Sequence, residues 1–205
     1  MDPETTPRAP VVVLDEFLVV GEWRALIDYA FSRAAEFSDT QVIGDGGGAY
    51  VDHATRRSRV LYDLGPVHKV FADRLMTFLP QVLGRLRRPA FEVSWIEAQL
   101  TGTNHGEYFR MHTDNESHDV TSREVTFVYF FHREPRGFEG GELKIHDTRF
   151  DGGRAVADGG ARLVAPLQNQ VVFFPSRYLH EILQVRCPSG DFFDSRFTVN
   201  GWFHR

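Results

Sequence analysis

The stretch Ser195-Arg196-Phe197-Thr198-Val199-Asn200-Gly201-Trp202-Phe203 reads as a β-strand with two unlike faces. Arg196, Thr198 and Asn200 alternate with Phe197 and Val199, and side chains two apart on a strand share a face. A guanidinium inside a protein is costly unless it is paired. The polar face therefore lies either on a barrel rim or toward an interior that receives an anion. The same short pattern recurs upstream as far as Pro89. Segments 91–101, 108–112, 125–131, 142–146, 162–166, 170–174 and 180–185 read as strands divided by glycine and polar turns, and 196–203 is the eighth. Eight short strands with no helix between them predict a barrel or a two-sheet jelly roll.

The first part of the chain has another character. Residues 11–17 read as an opening strand, and Trp23, Leu26, Ile27, Ala30 and Phe31 then recur at helical spacing from Glu22 to about Ser38. A second helical pattern (Val67, Val70, Phe71, Arg74, Leu75, Phe78, Leu79) ends near Pro80, with a further turn toward Leu86. Between them, 39–59 holds Gly44-Asp45-Gly46-Gly47-Gly48 and Arg56-Arg57-Ser58-Arg59 and reads as a mobile loop. Its glycines lack the strand–helix context of a phosphate loop, and its arginines read as a solvated basic stretch. The expectation is one mainly β (α+β) domain over 1–205. A strand-and-helix cap would occupy about 1–90 and pack on one face of a β core over about 91–205.

Composition narrows the class. Twenty-three basic against 28 acidic residues leave a formal charge of −5, which argues against a general electrostatic grip on nucleic acid. Cys187 is the single cysteine, so an internal disulfide and a cysteine-cluster zinc site are both excluded. The apolar runs 11–14 and 17–20 are split by Asp15 and Glu16. No signal peptide or membrane span fits there, and a cytoplasmic protein without a membrane partner is expected.

Chemistry concentrates in His112-Thr113-Asp114 and in His180. On a strand, His112 and Asp114 share a face and can converge on one ion. His180 follows an apolar strand and a turn, where a jelly roll can return it beside that pair. A lone histidine in that context is more often structural. Two histidines and a carboxylate together match the facial triad that holds non-haem iron(II) and leaves positions open for oxygen and a chelating co-substrate. Arg196 is the third element, because its fork grips a carboxylate through two parallel hydrogen bonds where lysine offers a point charge. His105, His118, His132, His146 and His204 need no ligand role, and Glu181 would face away from a metal held by His180.

The ordered set His112-x-Asp114, His180 and Arg196, with Gly140-Gly141-Glu142-Leu143 and Phe174-Pro175-Ser176…Leu179-His180-Glu181, resembles the prolyl-4-hydroxylase-type branch of the 2-oxoglutarate/iron(II) dioxygenases. The likeness covers about 93–203. It implies a double-stranded β-helix, iron(II) on His112, Asp114 and His180, and the distal carboxylate of 2-oxoglutarate on Arg196. It further implies Asn200 as a neighbouring contact and Thr126 and Tyr129 on a strand lining the co-substrate pocket. Two positions depart from the family pattern: Thr103 and Phe130 stand where relatives carry tyrosines. Oxygen would be consumed, 2-oxoglutarate would leave as succinate and carbon dioxide, and an aliphatic C–H would be hydroxylated. An intact Asp114 favours hydroxylation over halogenation. The substrate class stays open between a prolyl or other residue of a peptide or protein and a free amino acid or natural-product intermediate. Loops 39–59 and 115–124 are expected to decide it, and the arginines at 56, 57, 59, 110 and 123 lean toward an acidic substrate. Two rivals remain: a non-catalytic jelly-roll module that binds a ligand without turnover, and a cupin-type metalloenzyme that does not use 2-oxoglutarate.

Overall fold

The computed structural model describes residues 8–43, 48–116 and 120–205. In chain order they form β1 (Val12–Leu14), α1 (Val20–Ser32), β2 (Ser38–Asp39), β3 (Val42–Ile43), β4 (Ala49–Tyr50), β5 (Arg56–Arg57), β6 (Arg59–Leu61) and α2 (Gly65–Arg85). The β-rich part follows: β7 (Trp95–Thr103), β8 (Tyr108–His112), β9 (Arg123–Phe131), β10 (Glu139–Gly140), β11 (Leu143–Asp151) and β12 (Arg154–Val164). It closes with β13 (Gln170–Pro175), β14 (His180–Ile182), β15 (Val185–Arg186) and β16 (Arg196–His204).

Two antiparallel sheets face each other. The larger has the order β1-β13-β9-β16-β7-β6-β2, and the smaller β12-β11-β14-β8-β5. This is the double-stranded β-helix, or jelly roll. The central strand β9 shows why it is a sandwich with a helical coat. Phe127, Tyr129 and Phe131 of β9 pack with Leu26 of α1 and with Phe71 and Leu75 of α2. The alternate residues Val128 and Phe130 pack with Leu143 and Ile145 of β11 and Phe174 of β13, between the sheets. Each fully buried side chain of this size contributes roughly 1.5–3 kcal/mol by leaving water. Both faces of β9 are thus apolar, as a strand covered on both sides requires.

Three expectations shift. The first helix stops at Ser32 instead of about Ser38, a 3-10 turn spans Ala34–Glu36, and Ser38 already pairs with Val60 of β6. Phe37 explains the break: it is buried against Phe192 and Phe197, a position that a continued helix would not reach. The second helix runs unbroken through Pro80 to Arg85. Pro80 and Met76, whose carbonyl loses its bond, face solvent, while Leu79, Val82 and Leu83 keep the next turn on the core. Residues 39–59 are not one open loop, since they contribute strands to three sheets. Gly44–Gly47 of that stretch and His118 of the 115–124 loop lie outside the described residues.

Candidate active site

The hydrogen-bond register places the metal-type residues. Strand β8 pairs with β14 so that His112 and His180 are direct cross-strand partners, with ring centroids 4.2 Å apart. Just past the end of β8, the Asp114 backbone N–H donates to the Ser176 carbonyl at 2.9 Å, which folds its carboxylate back under the two rings. Asp114 Oδ1 lies 3.6 Å from His112 Nε2, and Oδ2 lies 3.3 Å from His180 Nε2. One ligand atom from each residue fits within a 4.8 Å cluster. His180 and Asp114 are buried, and His112 is partly open to the cavity.

Each ring is locked by its other nitrogen. His112 Nδ1 donates to the Arg110 carbonyl at 2.7 Å, and His180 Nδ1 to the Tyr178 carbonyl at 2.9 Å. A carbonyl only accepts, so Nδ1 carries a proton in both rings and Nε2 is the atom each ring turns toward the shared centre. Burial pulls the His180 pKa down to about 4, the Asp114 carboxylate opposing this and His112 adding to it. The ring is neutral, as a ligand must be. For Asp114, burial favours the acid. The two imidazoles and the Thr126 hydroxyl outweigh it and hold the carboxyl well below its ordinary range.

Thr126 lines the cavity, and its hydroxyl donates to Asp114 Oδ2 at 2.7 Å and sits 3.0 Å from Ser176 Oγ. It positions the carboxylate. Tyr129 is a correction: it faces away from the cavity. It lies among Phe17, Phe71 and Phe131 on the helix side, and its hydroxyl donates to Asn169 Oδ1 at 2.9 Å. Strand alternation decides this, because Thr126, Val128 and Phe130 take the other face.

Arg196 opens β16 and is 2% exposed. Its Nε donates to the Gly141 carbonyl at 2.7 Å, and its guanidinium lies over the Phe130 ring, 5.0 Å from the centroid. Nη2 is buried with no hydrogen-bond partner among the described residues. Burial lowers the Arg196 pKa to about 9, Glu142 opposing it, so the charge survives at neutral pH. A buried, charged and half-used guanidinium calls for an anion. Gly141, at φ +71°, permits this arrangement: a Cβ there would stand 2.6 Å from Arg196 Cδ.

The three metal-type residues and Arg196 line one cavity of about 860 Å3, together with Asn200, Thr103 and Trp202. Asn200 accepts from Thr101 Oγ1 at 2.8 Å. Arg123, expected to lean toward an acidic substrate, is instead paired within the chain and forms one wall of the cavity. Arg123 is held bidentately by Glu97 and donates to the Asp114 carbonyl at 3.2 Å. Its guanidinium stacks 3.6 Å over Trp202. His204 Nε2 lies 3.0 Å from the same Glu97. The available signal was the polar alternation Glu97, Gln99, Thr101, Thr103 along β7, the counterpart of Arg196, Thr198 and Asn200 on β16.

Residues 98–204 match the model of the 2OG-Fe(II) oxygenase superfamily, slightly over half of the chain. This chain belongs to that superfamily. It is 40% identical over 152 residues to an uncharacterized PKHD-type hydroxylase of Synechocystis sp., covering 73% of this chain and 50% of that protein. It is 29% identical over 157 residues to prolyl 3-hydroxylase sudestada1 of Drosophila melanogaster, covering 70% of this chain and 27% of that protein. The chain thus spans half or less of the length of the curated relatives it matches. Among solved structures it shares its fold with a Pseudomonas putida prolyl-4-hydroxylase at TM-score 0.68 and 20% identity, covering 96% of this chain and 93% of that one. A Trichoplax adhaerens prolyl hydroxylase in complex with a hypoxia inducible factor peptide fragment superposes at TM-score 0.71 and 15% identity, covering 96% and 84%.

The groups in the superfamily's name can be tested against the side chains. Two imidazole nitrogens and one carboxylate, grouped on one side of a cavity, are a donor set that suits iron(II). The orphaned Arg196 Nη2 suits the far carboxylate of 2-oxoglutarate. Both groups fit. At the two positions that depart from the family tyrosines, Thr103 sits opposite Arg196 in the strand register, and the Phe130 ring lies beneath the guanidinium. As a 2OG-Fe(II) oxygenase, this chain offers no phenol hydroxyl at either place. No helix among the described residues is long and apolar enough to cross a membrane.

Proposed function

We propose that the chain is a 2-oxoglutarate- and iron(II)-dependent hydroxylase acting on an aliphatic carbon of a peptide or protein residue, with proline the leading candidate. The observation that carries the reading is the shared cavity in which the buried His112–Asp114–His180 cluster faces an unpaired buried guanidinium. A non-catalytic module has no use for both. Bound iron(II) supplies oxygen activation coupled to the conversion of 2-oxoglutarate to succinate and carbon dioxide.

The residues would divide the work as follows. The Arg110 and Tyr178 carbonyls hold His112 and His180 in their ligand tautomers. Thr126 and the Ser176 carbonyl hold Asp114. Arg196 binds the far carboxylate, and Asn200 lies two residues further along the same strand face beyond Thr198. The Arg123–Trp202 stack gives the cavity a rigid wall beside Asp114, and rigid walls hold a C–H bond in register with the oxidant. Support for a polypeptide substrate comes from the volume of the cavity, about 860 Å3, and from its exposed lining residues Tyr62 and Met111. The prolyl hydroxylases among the relatives point the same way.

The test is succinate release in the presence of prolyl peptides, with the peptide mass read in parallel. His112→Ala should abolish both signals. Arg196→Ala should raise the 2-oxoglutarate concentration needed by about two orders of magnitude, the range for removing one partner of a buried charged pair. Unchanged turnover in Arg196→Ala would favour a metalloenzyme that ignores 2-oxoglutarate, and a chain producing no succinate at all would return the reading to a binding module.

A further inference from the structure

A second pocket, of about 430 Å3, opens beside the first, and Thr113 and Glu116 line both. The two pockets therefore adjoin at the residues next to Asp114. In the second, Arg177 lies flat on Phe150, with Cζ 3.4 Å from the ring centroid. Arg177 is exposed, and no carboxylate pairs with it among the described residues. Arg88 lines the same pocket. Its Nη2 is committed to Glu124, and its Nε is buried with no partner among the described residues. The acidic groups of the pocket are otherwise engaged: Glu124 is covered by Arg88 and Arg205, and Glu116 accepts from Thr113. Arg154, exposed at the start of β12, lines the main cavity beside Gly153 and Ala155, which line the second. Arg154 and Arg177, with no carboxylate partner among the described residues, thus line the two adjoining pockets.

We propose that this second pocket is a substrate subsite that takes an acidic side chain of the polypeptide whose other residue reaches the His112–Asp114–His180 centre. The inference rests on the polypeptide reading above and adds a charge preference to it. Three features favour a carboxylate. Arg177 has its ring face satisfied by Phe150, which leaves its hydrogen-bonding edge for a ligand. Glu124 is shared by Arg88 and Arg205, so the carboxylate beside the pocket is more than balanced by positive charge. Thr113 and Glu116 line both pockets, so the two sites adjoin, as two residues of one polypeptide would require.

The experiment uses the full chain loaded with manganese(II) and 2-oxoglutarate. The probes are short fluorescein-labelled prolyl peptides in which one glutamate is moved stepwise along each side of the proline. Each is compared with its glutamine twin by fluorescence anisotropy. At a preferred spacing, the glutamate peptide should bind about fivefold more tightly than its twin, a magnitude suited to a partly exposed charged pair. That advantage should vanish in Arg177→Gln, return in part in Arg177→Lys, and shrink as salt is raised. The glutamine peptides should bind the variants and the unaltered chain alike. Equal binding of each pair at all spacings overturns the subsite, as does a glutamate preference that persists in Arg177→Gln or a failure of all the peptides to bind. The same peptides incubated with iron(II) in air separate the two claims. Oxygen gain without a charge preference keeps the hydroxylase and removes the subsite. A charge preference that depends on Arg177, without oxygen gain, keeps the subsite and removes the prolyl reading.

Discussion

Gly141 shows how much one missing side chain can decide. Its carbonyl receives Arg196 Nε, its φ is +71°, and the space a Cβ would fill belongs to Arg196 Cδ and Val185 Cγ2. Gly141→Ala should therefore push the guanidinium stem aside and raise the apparent Kd for 2-oxoglutarate by about tenfold or more. Metal binding, read by manganese(II) electron paramagnetic resonance, should stay as it was, because the metal-type residues stand on other strands. Equal losses of both affinities would mean that the alanine had disturbed the whole core. From sequence, Gly140-Gly141 reads first as a turn, and its dependence on a residue 55 positions away becomes visible only in the structure. That His112, Asp114, His180 and Arg196 meet in one cavity was legible from the ordered set as a whole, because each spacing alone leaves a purely structural role open. The place of Tyr129 was not. In a strand apolar on both faces, nothing in the local pattern says which set of alternating residues looks inward.

At the level of elements, periodicity and its failures follow burial. The hairpin of β11 and β12 is much longer than the segments 142–146 and 162–166 read from the sequence. Its outer part, from Asp147 to Ala161, is largely exposed and carries five acidic or basic residues and four glycines, so no buried face imposes an alternating pattern. Arg154 and Phe150, which border the proposed subsite, come from this stretch. Helix α2 makes the opposite case, continuing through Pro80 because its buried stripe Leu75, Leu79, Val82 outweighs a lost solvent-side hydrogen bond. Restoring that bond with Pro80→Ala should stabilise the chain by about 1–3 kcal/mol in urea unfolding, with no change in the m-value or in succinate release. A neutral or destabilising result would show that proline's constraint on the unfolded chain offsets the helical bond it removes.

Across the molecule, three imidazoles tie stability to pH. His132, His180 and His204 are each held below the ordinary histidine value, burial being the largest cause in every case. A depressed histidine pKa means that the unfolded chain binds protons first. The metal-free protein should thus keep its full stability above about pH 6.5 and lose it as pH falls toward the folded values, about 4 for His180. A urea midpoint that stays level between pH 7 and pH 5 would contradict this. Bound metal should blunt the effect by holding His180 in its neutral form. The run of short strands after Pro89 made a barrel or a jelly roll legible at this scale, and the family resemblance chose the jelly roll. The short strands within 39–59 were not, because two- and three-residue pairings leave no period to read. One consequence follows from where the key groups are mounted. His112 and His180 belong to the five-stranded sheet and Arg196 to the seven-stranded one, with Val128, Phe130, Leu143, Ile145 and Phe174 wedged between. On the proposed reading the gap between these sheets sets the reach of the co-substrate, and a core substitution that merely loosens it should let 2-oxoglutarate be consumed without a hydroxylated product, long before the fold gives way.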